Sequence, residues 1–278
     1  MNGIEVCYCG NAKAFPQILL SAMSMAEHCD RAIKVRLVTA DLTDLDERFI
    51  PIDERMCAVL REALKDRNAD SDAVIVDVEA QYRARLSGGK NEKGHYTPYA
   101  QFRLLFDVVD DMPEKVIYLD TDTMFVGDIS PMWDVDIEGV EFAAVKDVVL
   151  SKMLKPSYFN SGVMSLNLKR CSETGLLAKC RKMVKNRKMI MPDQTALNKY
   201  ATAKLLLPRR FNEQRDIRDD TVIKHLCRRI KRYGLLLRID NFKQTDRDAV
   251  HNKMKTHAFD VIYARYDELA EKYPEIIK

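Results

Sequence analysis

The sequence predicts an α/β fold: one open, mostly parallel central sheet flanked by helices. Three observations carry that reading. The chain opens strand–helix–strand, a unit that pairs its strands in parallel through a right-handed crossover. The run Val116-Ile117-Tyr118-Leu119 has the unbroken apolar character of a strand buried on both faces. Finally, 278 residues that are 46% apolar and 31% charged can bury the core of one large domain.

Taken in order, Ile4 to Cys9 is read as the first strand, with Cys7 and Cys9 as core filler. Gly10-Asn11-Ala12-Lys13 follows at the carboxyl edge of the sheet, where ligands of such folds collect. A helix is expected over 15–27, with Ile18, Leu19, Ala22, Met25 and Ala26 on one face, and then a strand over 33–38. Residues 41–70 are rich in Asp, Glu and Arg and hold a surface helix near 54–66; a strand follows at 73–78. Residues 87–95 read as a polar, glycine-rich loop. From Pro98 the pattern is helical, with Phe102, Leu105, Phe106 and Val109 forming a stripe that Arg103 interrupts. Such an arginine either snorkels or reaches a phosphate or acidic ligand. Strands are expected at 141–145 and 158–167, a basic amphipathic helix at 176–188, and a short helix from Pro192.

A net charge of +3 is too small to argue for nucleic acid. No run of about 18 apolar residues is present, so no spanning helix is expected. The opening MNGIEVCYCG lacks a charged n-region and a long apolar core, so no secretory signal is expected either. Seven cysteines, an odd number without metal-type spacing, fit a reduced cytoplasmic protein. With no repeat or linker, residues 1–235 read as one domain and 236–278 as a helical extension packed on it.

The chemistry centres on Asp120 and Asp122, which follow the apolar run directly. Two hard oxygen donors on one side can hold a divalent cation, provided the chain stays extended there. Asp-x-Asp also occurs at Asp44/Asp46, Asp70/Asp72, Asp134/Asp136 and Asp246/Asp248. None of those follows a wholly apolar strand, and solvated loop acids or helix caps account for them. His28, His251 and His257 are read as surface or core histidines on helices.

Four phrases then occur in order: Tyr118-Leu119-Asp120-Thr121-Asp122, Phe159-Asn160-Ser161-Gly162-Val163-Met164, Pro192-Asp193-Gln194-Thr195-Ala196-Leu197-Asn198 and Pro208-Arg209-Arg210-Phe211-Asn212. Together, over roughly 4–225, they resemble the family 8 glycosyltransferases, which include lipopolysaccharide galactosyltransferases and glycogenin. The resemblance implies a GT-A fold, a UDP-hexose donor, Mn²⁺ (with Mg²⁺ as the alternative ion) and transfer with retention at the anomeric carbon. It implies Asp120 and Asp122 as metal ligands, with His225 as the third, after the apolar Thr221-Val222-Ile223. A lysine six positions beyond that histidine often reaches the diphosphate, which points to Lys231. Asn11, Arg103, Thr121, Asn160 and Gly162 become donor-side positions, and Lys13 a further positive charge. His95, eight residues before Arg103, becomes an acceptor- or donor-side histidine.

The same resemblance puts Gln194 opposite the sugar. An amide is a poor nucleophile, so same-face displacement is favoured, with Gln194 orienting the oxocarbenium-like sugar. Double displacement through Asp193 or Asp147 is the alternative. Two departures stand out. The first loop offers only Asn11 as a base contact, and Leu226-Cys227-Arg228-Arg229-Ile230-Lys231 replaces the usual Lys-Pro-Trp ending.

Between Lys224 and Arg238 lie six basic residues and no acid, interleaved with apolar ones. That composition suits either an anionic membrane surface or a solvated loop. The expected function is transfer of glucose or galactose from UDP-glucose or UDP-galactose to a glycan or lipid-linked acceptor in cell-surface polysaccharide assembly. The expected place is the cytoplasm, including the inner membrane surface. A glycogenin-like self-glucosylating primer and a catalytically silent sugar-nucleotide or glycan-binding protein are the alternatives. None of the 11 tyrosines stands out as a self-acceptor.

Overall fold

The computed structural model describes residues 3–94, 96–227, 229–233 and 236–277, with only the backbone described for 229–233 and 236–240. The central sheet has seven strands: β1 Ile4–Cys9, β2 Ile33–Thr39, β3 Asp72–Asp77, β4 Lys115–Leu119, β6 Phe142–Lys146, β7 Phe159–Asn167 and β8 Lys204–Leu207. Two further pairs, β5 Thr123–Phe125 with β9 Ile223–His225 and β10 Arg229–Tyr233 with β11 Leu236–Asp240, lie outside it. The order is β3-β2-β1-β4-β7-β6-β8, parallel except where β7 runs against β4 and β6.

Period-two alternation distributes each strand between two cores. Ile4, Val6 and Tyr8 of β1, with Ile117 and Leu119 of β4, face the helices Phe15–Glu27 and Glu54–Lys65. Cys7 and Cys9, with Val116 and Tyr118, face the layer built from Pro98–Val108 and the helix Leu176–Asn186. The chain leaves β1 towards β2 on one side and returns as β4 on the other. The carboxyl ends of β1 and β4 therefore flank the switch point of the sheet, where a crevice opens.

Three expectations are corrected. Pro98–Val108 is a 3₁₀-helix, not an α-helix. Its three-residue turn stacks Tyr99, Phe102 and Leu105 in one row, and packing on both sides buries Arg103 instead of leaving it to snorkel. The segment from 236 opens as strand β11, paired with β10, and helices follow at Arg247–Met254 and Asp260–Lys272. His28 is the C-cap of its helix, and His257 lies in a turn between helices. The other Asp-x-Asp pairs do serve as caps and surface ion-pair partners: Asp246 accepts from Ala249 N, Asp44 pairs with Arg83, and Asp134 with Arg31. Among the described residues no helix is long and apolar enough to cross a membrane.

Candidate active site

The chain turns as soon as it leaves β4. Thr123 Oγ1 donates to the Asp120 carbonyl at 2.9 Å and is itself bonded to Ser21 Oγ, while Ser24 Oγ accepts from Phe125 N. Small hydroxyl side chains on the helix Phe15–Glu27 thus pin the turn that carries Asp120 and Asp122. The two acids converge because the chain folds back there, not because it stays extended.

That turn feeds β5, whose antiparallel partner β9 ends at His225, paired with Thr123. Leu226 N donates to the Asp122 carbonyl at 2.8 Å, which fixes the imidazole against the acids. His225 Nε2 lies 3.0 Å from Asp122 Oδ1 and 3.7 Å from Asp120 Oδ2. One ligand atom from each of Asp120, Asp122 and His225 lies within 4.8 Å of the others. On the far side of the ring, Nδ1 donates to Asn212 Oδ1 at 3.1 Å, which turns Nε2 towards the carboxylates.

Gly162 forms the floor. A Cβ there would lie 2.6 Å from Asp120 Oδ2 and 2.9 Å from His225 Nδ1, and closer still to His225 Cε1. The space between ligands is therefore kept clear by the lack of a side chain. Two carboxylates and an oriented imidazole, packed where a methyl at 162 would collide, match the needs of a divalent cation. Imidazole makes such a set less suited to Ca²⁺.

Positive charge frames the acids. Arg103, 4% exposed, stacks over the Tyr118 ring at 3.9 Å and reaches Asp120 at 2.7 Å and Asp193 at 3.4 Å. It also donates to the carbonyls of Ala100 and Ser161, so its hydrogen bonds go to the protein and it orients the carboxylates. Tyr118 donates to Asp120 Oδ1 as well, and burial raises that phenol well above its ordinary range, so it stays protonated as a donor. On the open side, Lys243 Nζ lies 2.6 Å from Asp122 Oδ2. Burial pushes the Asp122 carboxyl up, but His225 and Lys243 outweigh it and hold the group far below the usual carboxylate range.

A second set of polar groups continues from Asn212. Its Nδ2 donates to Asn160 Oδ1 at 2.9 Å, and Asn160 Nδ2 donates to Gln194 Oε1 at 3.3 Å. Gln194 Oε1 also accepts from Ser161 N, and its Nε2 donates to Asp147 Oδ2 at 3.2 Å. Asp147 Oδ1 accepts from Val149 N and Leu150 N. Asp193 accepts from Ser161 Oγ; Met191, not Asp193, is the N-cap of the helix Pro192–Tyr200.

The first-loop residues close the crevice. Asn11 Nδ2 donates to the Arg48 carbonyl, and Lys13 is exposed. Thr121 Oγ1 bonds to Gln17, and its carbonyl accepts from Gln244 at 2.6 Å. His95 and the side chain of Lys231 lie outside the described residues. Lys231 sits in a hairpin strand, and among the described side chains Lys243 is a lysine that meets Asp122. Lys243 was given no role above; the usable signal was a lysine shortly after the strand ending at Asp240. Asn212 lies inside a phrase singled out above but was given no role there, and Tyr118 falls on the same strand face as Asp120 by alternation. Lys224, counted above among surface-facing basic residues, is fully buried, with Nζ donating to the Glu213 carbonyl.

A switch-point crevice floored by glycine, holding two aspartates and a histidine, defines a GT-A glycosyltransferase scaffold. Residues 6–232 match the family model of Glycosyl transferase family 8, and the chain belongs to that family. It is 29% identical over 120 residues to General stress protein A of Bacillus subtilis (strain 168), covering 38% of this chain and 42% of that protein. It is 32% identical over 125 residues to Lipopolysaccharide 1,2-glucosyltransferase of Escherichia coli (strain K12), covering 40% and 37%. The matches thus span about two fifths of each of these relatives. Among solved structures it is similar to the galactosyltransferase LgtC in complex with donor and acceptor sugar analogs. That match has a TM-score of 0.61 at 17% identity over 97% of this chain and 96% of the other, a likeness of fold alone.

Proposed function

We propose that the protein is a retaining hexosyltransferase that moves glucose or galactose from a UDP-sugar to a glycan or lipid-linked acceptor in cell-surface polysaccharide assembly. The observation that carries this is the convergence of Asp120, Asp122 and His225 around the space that Gly162 leaves open. Family membership supports glycosyl transfer, and the likeness to Lipopolysaccharide 1,2-glucosyltransferase supports a hexose donor. The proposed setting is the cytoplasm, at the inner membrane surface, where lipid-linked acceptors are presented.

Asp120, Asp122 and His225 would hold Mn²⁺, or Mg²⁺ in its place. When bound, such an ion supplies charge stabilisation to the departing nucleoside diphosphate, the kind of interaction that strengthens in the transition state. Lys243 takes the role first expected of Lys231: its ammonium exchanges Asp122 for a donor phosphate oxygen. Arg103 and Tyr118 hold Asp120 in place through contacts to Oδ1. Asn11 and Thr121 border the nucleoside side, while Asn160 and the Gly162 backbone border the sugar.

Same-face displacement is the favoured route. Both oxygens of Asp147 already accept hydrogen bonds, and Asp193 Oδ2 is tied to Arg103 and Ser161, so each carboxylate is engaged by the protein. Gln194, 5% exposed and held at both ends of its amide, is suited to orienting a cationic sugar. The test is UDP release from a panel of UDP-sugars with Mn²⁺, in the native protein and in Asp122→Ala. Release that needs both the metal and Asp122 supports the reading. UDP binding that is equal in Mn²⁺ and in EDTA refutes it.

A further inference from the structure

A second group of ligating side chains lies away from the crevice. The helix Arg247–Met254 ends at Lys255, which adopts left-handed backbone angles (φ 56°), unusual for a residue with a side chain. That reversal brings His257 back over His251, and the two imidazoles stack with centroids 4.5 Å apart and planes 24° from parallel. Asp260, in the first turn of the helix Asp260–Lys272, faces both rings. His251 Nε2 lies 2.7 Å from Asp260 Oδ1, and His257 Nδ1 lies 2.9 Å from Asp260 Oδ2. One ligand atom from each of the three falls within 4.8 Å of the others.

We infer that His251, His257 and Asp260 form a second cation site, distinct from the crevice, that takes a divalent transition metal of the Zn²⁺ class. Two imidazole nitrogens and one carboxylate oxygen are the ligand set of open three-residue zinc sites, with water filling the fourth position. The fit requires only small side-chain movements, because tetrahedral Zn²⁺ bonds of about 2.0–2.1 Å place ligand atoms a little over 3 Å apart. The side chain of His257 is 73% exposed and that of Asp260 48%, so an ion enters from solvent without opening the fold. Arg247, on the first of these helices, is paired with Asp267 and stacked on Tyr263, and Asp260 is bonded by the two imidazoles.

The donor sets of the two sites differ in a way that sorts metals. Asp120, Asp122 and His225 are oxygen-rich, whereas this group is nitrogen-rich, and imidazole-rich sites favour Zn²⁺ over Mn²⁺. The bound ion is structural: it ties the helix Arg247–Met254 to the helix Asp260–Lys272. Tyr263 of the second helix donates to the Gln244 carbonyl at 2.8 Å, next to Lys243. The clip therefore steadies the segment that delivers Lys243 to the crevice.

The test uses the full chain carrying Asp122→Ala, which removes the first site from the measurement. Zn²⁺ is titrated by calorimetry, and Co²⁺ by its visible absorption. One equivalent bound at micromolar affinity or tighter, with tetrahedral Co²⁺ bands and a raised melting temperature, is the expected result. His257→Ala, at an exposed position, should weaken binding at least about 100-fold, since even loss of an outer-shell partner costs 10–100-fold. Absence of a saturable equivalent, or affinity unchanged by both His257→Ala and His251→Ala, would overturn the inference. The titration is read from metal binding and not from UDP release, so the failure of this site and of the proposed activity are separable.

Discussion

Replacing Gly162 by alanine adds one methyl group to the most crowded point of the crevice. The new Cβ would stand 2.6 Å from Asp120 Oδ2 and 2.9 Å from His225 Nδ1, against 3.4–4 Å for ordinary contact. Neither neighbour can yield easily. His225 is 2% exposed and bonded to Asn212, and the glycine backbone is tied by Asp120 N to its carbonyl at 2.7 Å and by its own N–H to Asn160 at 3.0 Å. The ring must therefore retreat by roughly 1 Å, several times the ±0.2 Å within which metal–ligand distances normally fall. Overpacking of this kind costs about 1–3 kcal/mol of stability. Losing the imidazole as a ligand should weaken Mn²⁺ binding by at least about 10–100-fold. Mn²⁺ titration followed by electron paramagnetic resonance, with circular dichroism melting as the control for folding, measures both. A folded Gly162→Ala protein that binds Mn²⁺ as tightly as the native chain would refute the placement of the cation between these ligands.

Other substitutions separate the remaining roles. Lys243→Ala should leave Mn²⁺ affinity within a few-fold while weakening UDP binding about tenfold or more, the order expected for one charged hydrogen bond; Lys231→Ala should do much less in the same UDP titration. Asn212→Ala frees the imidazole of His225 to rotate and should lower Mn²⁺ affinity about 10–100-fold without unfolding the protein, as read by the same titration. In EDTA, the folded carboxyl of Asp122 is depressed, so its contribution to stability is complete above the unfolded value of about 3.9 and is lost as pH falls below it. The metal-free native protein should therefore lose melting temperature more steeply below about pH 4 than Asp122→Asn does, and parallel curves would count against the buried pairing.

Where local pattern decides structure, the sequence was a good guide. The expected first strand and first helix coincide with Ile4–Cys9 and Phe15–Glu27, because the apolar period leaves little choice there. The parallel sheet followed from unbroken apolar strands, whereas the grouping of Asp120, Asp122 and His225 was implied by the family resemblance of the four phrases. Tertiary packing decided the rest. Pro98–Val108 carries a helical stripe, yet it winds as 3₁₀ where it is wedged between sheet and helix. Arg103 reads as a residue seeking an external ligand, but its partners, Asp120 and Asp193, come from distant parts of the chain. Lys243 and Asn212 were invisible as site residues for the same reason: their neighbours are set by a hairpin and by a strand pairing that no linear spacing encodes.

That hairpin has a consequence for reading other chains of this kind. An imidazole leaves its foot on one side and an ammonium returns on the other, both to the same carboxylate. Residues gained or lost at its tip shift neither foot, so the distance along the chain between the two groups is free to drift. On the proposed role of Lys243, following the returning strand to its first lysine finds a phosphate partner that counting forward from the histidine passes over.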